Sequence, residues 1–193
     1  VILINRESEH FSTVCTDNDE VGLMAATKIR QKGYTEAAIF ASRHSYFATS
    51  QRVQAFISSC ERLGIETDEK YILKGSSTRN GGYEIGKQYA ALKEPPKMIF
   101  CDSDAIALGA LRAFHEEGIS VPGDAELLSI GMLDPEAASY YVPSLSVVEM
   151  PNKEIGQQVL RLMRKKVLNN DMSSEHVKVH AKLMLRESFS LSI

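Results

Sequence analysis

The residues of this chain that could do chemistry gather where its apolar runs end. They are Asn5-Arg6, Thr16, Arg43-His44-Ser45-Tyr46, Ser76-Ser77-Thr78, Asp102-Ser103-Asp104, Leu133-Asp134 and Glu149-Met150. Hydroxyls, amides and scattered charges dominate, and no cluster couples a nucleophile to an adjacent base. Such groups donate and accept hydrogen bonds in several directions. The set suits the binding of a small polar molecule better than the making or breaking of a bond.

The alternatives that involve catalysis each lack a part. Ile99-Phe100-Cys101-Asp102-Ser103-Asp104 looks like the strand-then-Asp-x-Asp start of haloacid-dehalogenase-type phosphotransferases, which use magnesium, a nucleophilic first Asp and an acidic second one. That motif continues Gly-Thr, whereas Ala105-Ile106 follow here, and Asp104 reads as a helix N-cap. There is no Gly-x-Ser-x-Gly elbow for a hydrolase. Gly81, Gly82 and Gly86 do not supply the Gly-x-Gly-x-x-Gly of a dinucleotide site. Cys15, Cys60 and Cys101 have no metal-ligand spacing and read as small buried hydrophobes in a reducing compartment. His10, His44 and His115 read as solvent-facing. Arg161, Arg164, Lys165 and Lys166 read as a solvated helix end, where cations suit the dipole. The expectation is a binding protein with no catalytic residue, no metal and no cofactor.

Positioning these clusters falls to alternating strands and helices. Val1–Ile4 is a bare apolar run of the kind buried parallel strands show. A central strand at the first residue leads us to expect that the sequence is a fragment of a longer chain. Asp17 with Glu20 forms a capping-box pattern, followed by Val21, Ala25 and Ile29 on one helical stripe and Gly33 as a left-handed stop. Ala37–Ala41 reads as a strand. Val53, Phe56, Ile57, Cys60 and Leu63 mark a helix that Gly64 ends. Strands at 71–73, 98–101, 127–130 and 145–148 alternate with helices near 81–92, 104–117 and 155–163, with a short helix at 135–141. Two alternating runs, 176–180 and 182–185, close the chain. Strand–loop–helix alternation with apolar, unalternating strands predicts an α/β, doubly wound, mostly parallel sheet. Ligands of such sheets bind outside the carboxyl ends of the strands, where the polar clusters lie.

Composition bounds the function further. The 193 residues carry 22 Lys+Arg against 25 Asp+Glu, a formal net charge of −3. Phosphate gripping needs a basic surface, so these residues are not expected to bind nucleic acid themselves. No run reaches the ~20 apolar residues of a membrane span, and no signal peptide opens the sequence.

The residues then resemble one family. Val14 with Asp17-Asn18, Gly22 and Lys32-Gly33-Tyr34 are similar in order and spacing to a stretch of the lac-repressor (LacI/GalR) family of transcription regulators. So are Arg52 with Ala55-Phe56, Gly82-Tyr83, and Asp104 with Ala107-Leu108-Gly109-Ala110-Leu111. Gly118-Ile119-Ser120-Val121-Pro122, Pro143-Ser144-Leu145-Ser146-Val147-Val148 and the closing Leu185-Arg186-Glu187-Ser188 complete the match over nearly the whole length. The resemblance implies a periplasmic-binding-protein-like type I fold: two Rossmann-like subdomains, with an effector in the cleft between them. It also implies an N-terminal helix-turn-helix head, absent here, through which DNA would be bound, together with homodimerisation and a cytoplasmic location without membrane attachment. It divides the chain into a partial N-terminal subdomain (1–36 and 146–170) and a C-terminal subdomain (37–145 and 171–193). A periplasmic-type sugar-binding transport protein is the alternative with the same fold.

Position by position, the resemblance puts Asn5, Tyr46, Arg52, Ser77, Ser103 and Leu133 at the ligand, and the strand-end reading adds Thr16. Arg52 keeps the arginine that reaches the effector, and its planar fork suits hydroxyls or anions. Asn5 and Leu133 stand where members carry Asp, Ser103 where they carry Asn, and Ser77 where an aromatic ring often stacks. With two carboxylates replaced and the arginine kept, a sugar or sugar phosphate is the expected effector, the phosphate favoured.

Overall fold

The computed structural model describes residues 1–44, 47–131, 136–170 and 173–189. Its strands form two sheets. In the smaller, β1 (Ile2–Ile4), β2 (Ser12–Thr16) and β8 (His176–Val179) lie in the order β1-β2-β8, all parallel. The larger runs β4-β3-β5-β6-β7-β9 and comprises β3 (Ala38–Ser42), β4 (Ile72–Gly75), β5 (Met98–Cys101), β6 (Glu126–Gly131), β7 (Ser146–Glu149) and β9 (Lys182–Met184). Only β9 is antiparallel to its neighbour.

Helices cover both faces of the larger sheet. α1 (Asn18–Gln31) and α2 (Phe47–Leu63) pack side by side over one face, where Val21, Ala25, Ile29 and Phe56 meet Ile39, Phe100 and Val148. The Phe56 ring stacks on Phe100 at 4.0 Å between centroids. α3 (Arg79–Ala90) and α4 (Asp104–Glu117) pack over the other, around Phe40, Tyr89 and Phe114. Their axes approach closely because glycines face each other's backbone: a Cβ on Gly82 would lie 2.1 Å from the Ile106 oxygen, and one on Gly109 would lie 1.9 Å from the Arg79 oxygen. The short α5 (Ala137–Tyr140) precedes β7. α6 (Asn152–Leu168) covers the smaller sheet, burying Ile155 and Leu162 against Val14 and Val179.

The chain passes between the sheets at Asp17, at Met150-Pro151 and at His180-Ala181. The boundaries read from the sequence, 1–36 and 146–170, therefore need correction. Helix 18–31 buries its apolar stripe against the larger sheet, and strand 146–149 pairs within that sheet, whereas strand 176–179 pairs with 13–16 in the smaller one. The elements of the smaller sheet are thus 1–16 and 152–179. Amphipathic spacing shows that a helix packs; it does not show on which sheet.

Several local expectations meet the structure directly. Asp17 caps α1 by accepting from the Glu20 amide at 3.3 Å, but the box is not reciprocal. The Glu20 carboxylate contacts His180 at 2.8 Å, and the Asp17 amide donates to the Val179 carbonyl, so the crossovers take over both groups. Gly33 has φ +94, just past the C-cap Lys32. Asp104 is not the N-cap of its helix; Ser103 is. The basic end of α6 is more than a solvated terminus, since Lys165 and Arg161 reach Glu175 at 2.6 and 3.4 Å.

Candidate functional site

Within the larger sheet, β3 is flanked by β4 on one side and β5 on the other. The helix after β3 lies on one face and the helix after β5 on the opposite face. That reversal makes the crevice between the carboxyl ends of β3 and β5 the topological switch point, where open α/β sheets bind ligands. Asp102 closes it, its Oδ2 accepting from the Ser42 amide at 2.6 Å. Asp102 is 1% exposed and its Oδ1 finds no hydrogen-bond partner among the described residues. Burial raises its carboxyl above the ordinary 3.8, against the lowering effect of Ser42, Ser103 and the Arg52 charge.

Arg52 projects from the second turn of α2 and is 3% exposed. Its Nη2 donates to Thr49 Oγ1 and its Nη1 to the Met150 sulfur, each at 3.2 Å. A thioether is a weak acceptor for a charged donor, so a ligand oxygen placed there would be the better partner. Burial lowers the Arg52 pKa below its ordinary value, and the Asp102 charge opposes that shift.

Facing Arg52 from the smaller sheet is the end of β1. A cavity of 260 Å³ lies between them, lined by the polar groups of Asn5, Arg6, Thr49, Arg52 and Asn152, together with Met150. Ile4, Phe47 and Ala48 supply its apolar wall. Asn5 has φ 50, a left-handed conformation that Asn tolerates better than other side-chain-bearing residues. Its Oδ1 accepts from the Thr16 amide at 3.1 Å, which leaves its amide N–H groups as the donors it can offer the cavity. No carboxylate lines this cavity among the described residues.

Asn5 and Arg52, expected at the ligand, are thus brought together from the two sheets. Thr16 is not in that lining: it orients Asn5 and lines a neighbouring 670 Å³ cavity. There Gln51 links the halves, donating to Glu7 Oε1 at 3.2 Å and accepting from Asn18 Nδ2 at 2.8 Å. Ser77 is exposed beyond β4, and the Ser103 hydroxyl is engaged as the cap of α4. Tyr46 and Leu133 lie outside the described residues. The sequence reading missed Thr49 and Asn152, and it counted Asp102 among the strand-end polar residues without making it a ligand contact. Thr49 was findable, since it stands one helical turn before Arg52.

A larger groove of 830 Å³, lined by Val121, Pro122, Val142 and Pro143 with Arg186 and Glu187, lies at the opposite, amino ends of β6 and β7. Its position argues against an effector role despite its size. No group of three His, Cys, Asp or Glu side chains among the described residues could hold a metal ion.

Two sheets bridged by three crossovers, with a polar cavity at their facing strand ends, define a hinged two-lobed binding domain. Residues 13–189 match the model of the periplasmic binding protein-like domain, and the chain belongs to that family, among its LacI-type regulators. A LacI family transcription regulator from Clostridium acetobutylicum superposes with TM-score 0.91 at 31% identity, covering 96% of this chain and 68% of that one. The HTH-type transcriptional repressor PurR of Mannheimia succiniciproducens is 27% identical over 169 residues, 88% of this chain and 50% of that protein. A LacI family regulator from Enterococcus faecium, solved with bound ribose, shares the fold at TM-score 0.84 and 21% identity, over 97% of this chain and 69% of its own. The chain spans about half the length of the curated relatives it matches.

Proposed function

We propose that this chain is the effector-sensing part of a LacI-type transcription regulator, a repressor, that binds a small sugar-like molecule between its two lobes. The observation that carries this reading is the meeting of Asn5 and Arg52, one from each sheet, across a single polar cavity beside the crossovers. A ligand holding both side chains favours the closed arrangement of the lobes. Its differential affinity for that arrangement is what shifts the population. The output is DNA binding through a helix-turn-helix head that these residues do not contain, in a homodimer, in the cytoplasm. The effector contacts are Asn5, Arg52 and Thr49, with Thr16 orienting Asn5; Tyr46, Ser77, Ser103 and Leu133 are the further contacts that the resemblance implies.

At 260 Å³ the cavity lies just below the ~300–1,000 Å³ of most ligand pockets, a size suited to a single sugar ring. A lining with two arginines and, among the described residues, no carboxylate also admits a phosphate ester of that sugar. Among the described residues the site couples no nucleophile to a base, so we assign binding and no catalysis. The repressor and regulator relatives favour this reading over a transport protein, and three free thiols fit a reducing compartment.

A thermal-shift panel of neutral pentoses and hexoses and their phosphates tests the proposal. A ligand at ~100 times its dissociation constant adds about 2.7 kcal/mol of stability. For a chain of this size that raises the melting temperature by roughly 5–10 °C. Absence of a saturable shift with any sugar or sugar phosphate would refute the reading.

A further inference from the structure

The buried carboxylate at the switch point stands in a fixed relation to Arg52. β3 and β5 are parallel, and α2 returns from the end of β3 to the start of β4, so α2 runs antiparallel to β5. Phe56 of α2 stacks on Phe100 of β5. Arg52 precedes Phe56 by four residues, one helical turn, which displaces it about 6 Å towards the carboxyl end of β5. Asp102 follows Phe100 by two residues on the same face of the strand, displaced about 6.6 Å in the same direction. The two side chains therefore rise in the same direction from the stacked rings. Each is the charge that acts on the other.

We propose that Asp102 is a positioning residue for Arg52, holding its guanidinium over the crevice and offsetting its charge so that the cleft selects uncharged polyhydroxyl ligands over their phosphates. The arginine presents N–H donors to ligand hydroxyls, while the pair as a whole is electrically neutral. An approaching phosphate meets the Asp102 charge directly behind the guanidinium. Arg6 does not restore the preference, because it is exposed at the cavity mouth and its field is screened by solvent. The lining by itself pointed to an anionic ligand; the residue beneath the lining reverses that inference.

This role rests on the effector reading, and one experiment separates the two. Dissociation constants for D-ribose and D-ribose 5-phosphate are measured by calorimetry on the full chain, as wild type and as Asp102→Asn. The wild type should favour ribose. The variant should move the ratio of the two constants at least about tenfold towards the phosphate. Asparagine still accepts from the Ser42 amide; if that variant does not fold, Asp102→Ser reads the same ratio. Equal weakening of both ligands, or an unmoved ratio, overturns the role of Asp102 and leaves the effector reading standing. Binding of neither probe, or of any other member of the sugar and sugar-phosphate panel, by the wild type overturns both.

Discussion

Gly82→Ala and Gly156→Ala make the same chemical change in two helices and should move stability in opposite directions. On α6, Gly156 is exposed and a Cβ there would meet nothing within 4 Å. Alanine then gains helix propensity and loses unfolded-state freedom, a stabilisation of about 0.5–1 kcal/mol. On α3, a Cβ at Gly82 would sit 2.1 Å from the Ile106 carbonyl oxygen and 2.7 Å from its carbonyl carbon and Cα. Those atoms are backbone of α4, so no rotamer change relieves the clash and the helices must separate by more than an ångström. Gly109, seated against Arg79 and Tyr83, would lose its fit in the same movement. Overpacking of this kind costs about 1–3 kcal/mol, and here it falls at the upper end because it spoils an existing contact. After the propensity gain, a net loss of about 2 kcal/mol remains. The two variants should therefore differ by about 3 kcal/mol, or roughly 6–12 °C in melting temperature for a chain of this size. Calorimetric scans of wild type and both variants measure it. A Gly82→Ala variant as stable as Gly156→Ala would refute the close approach of α3 and α4, which sets where Ser77 and Ser103 stand.

Other outcomes follow from the same structure. Burial raises the Asp102 carboxyl, so the stability its proton confers is complete below the ordinary 3.8 and is lost as pH rises through the raised folded value. Asp102→Asn carries no such proton, and its stability relative to wild type should grow between about pH 4 and pH 7; urea midpoints across that range check the sign, and a shrinking difference contradicts it. Lys32→Met removes the partner of Glu126 at 2.6 Å, where the side chains are 15% and 7% exposed, and should cost about 3 kcal/mol. Lys87→Met breaks the pair with Glu117 on the surface and should cost under about 1 kcal/mol by the same urea assay. Cys60 and Cys101 are buried, with thiols pushed up by desolvation, to about 12 for Cys60, whereas Cys15 is half-buried. A thiol reagent near pH 8 should modify one cysteine in the native chain and three in urea.

Most elements were legible because their signals are local. Asp17 before Val21, Ala25 and Ile29, or Gly118 after Phe114, state where a helix begins and ends without reference to anything distant. The assignment of α1 and β7 to a sheet was not legible, since the apolar stripe of α1 is satisfied by either sheet and only the tertiary packing chooses. The site divides in the same way. Asn5 and Arg52 could be named as candidates because strand ends and a family pattern mark them, and the cavity they share is what the structure adds. Asp102 read as part of a polar loop, because burial of a carboxylate leaves no trace in the residue type. Its neighbours in space, Ser42 and Arg52, are distant in the chain. The anionic preference inferred from Arg52 with the replacements at Asn5 and Leu133 omitted that carboxylate for the same reason.

The central claim is that one small molecule is held between the lobes by residues from both. Calorimetric titration of the chain with the sugar that stabilises it most, repeated on Arg52→Gln, tests this most directly. Saturable binding at one site per chain, weakened by about tenfold or more in the variant, is the predicted result. Equal affinity in both proteins would place the ligand elsewhere and contradict the account.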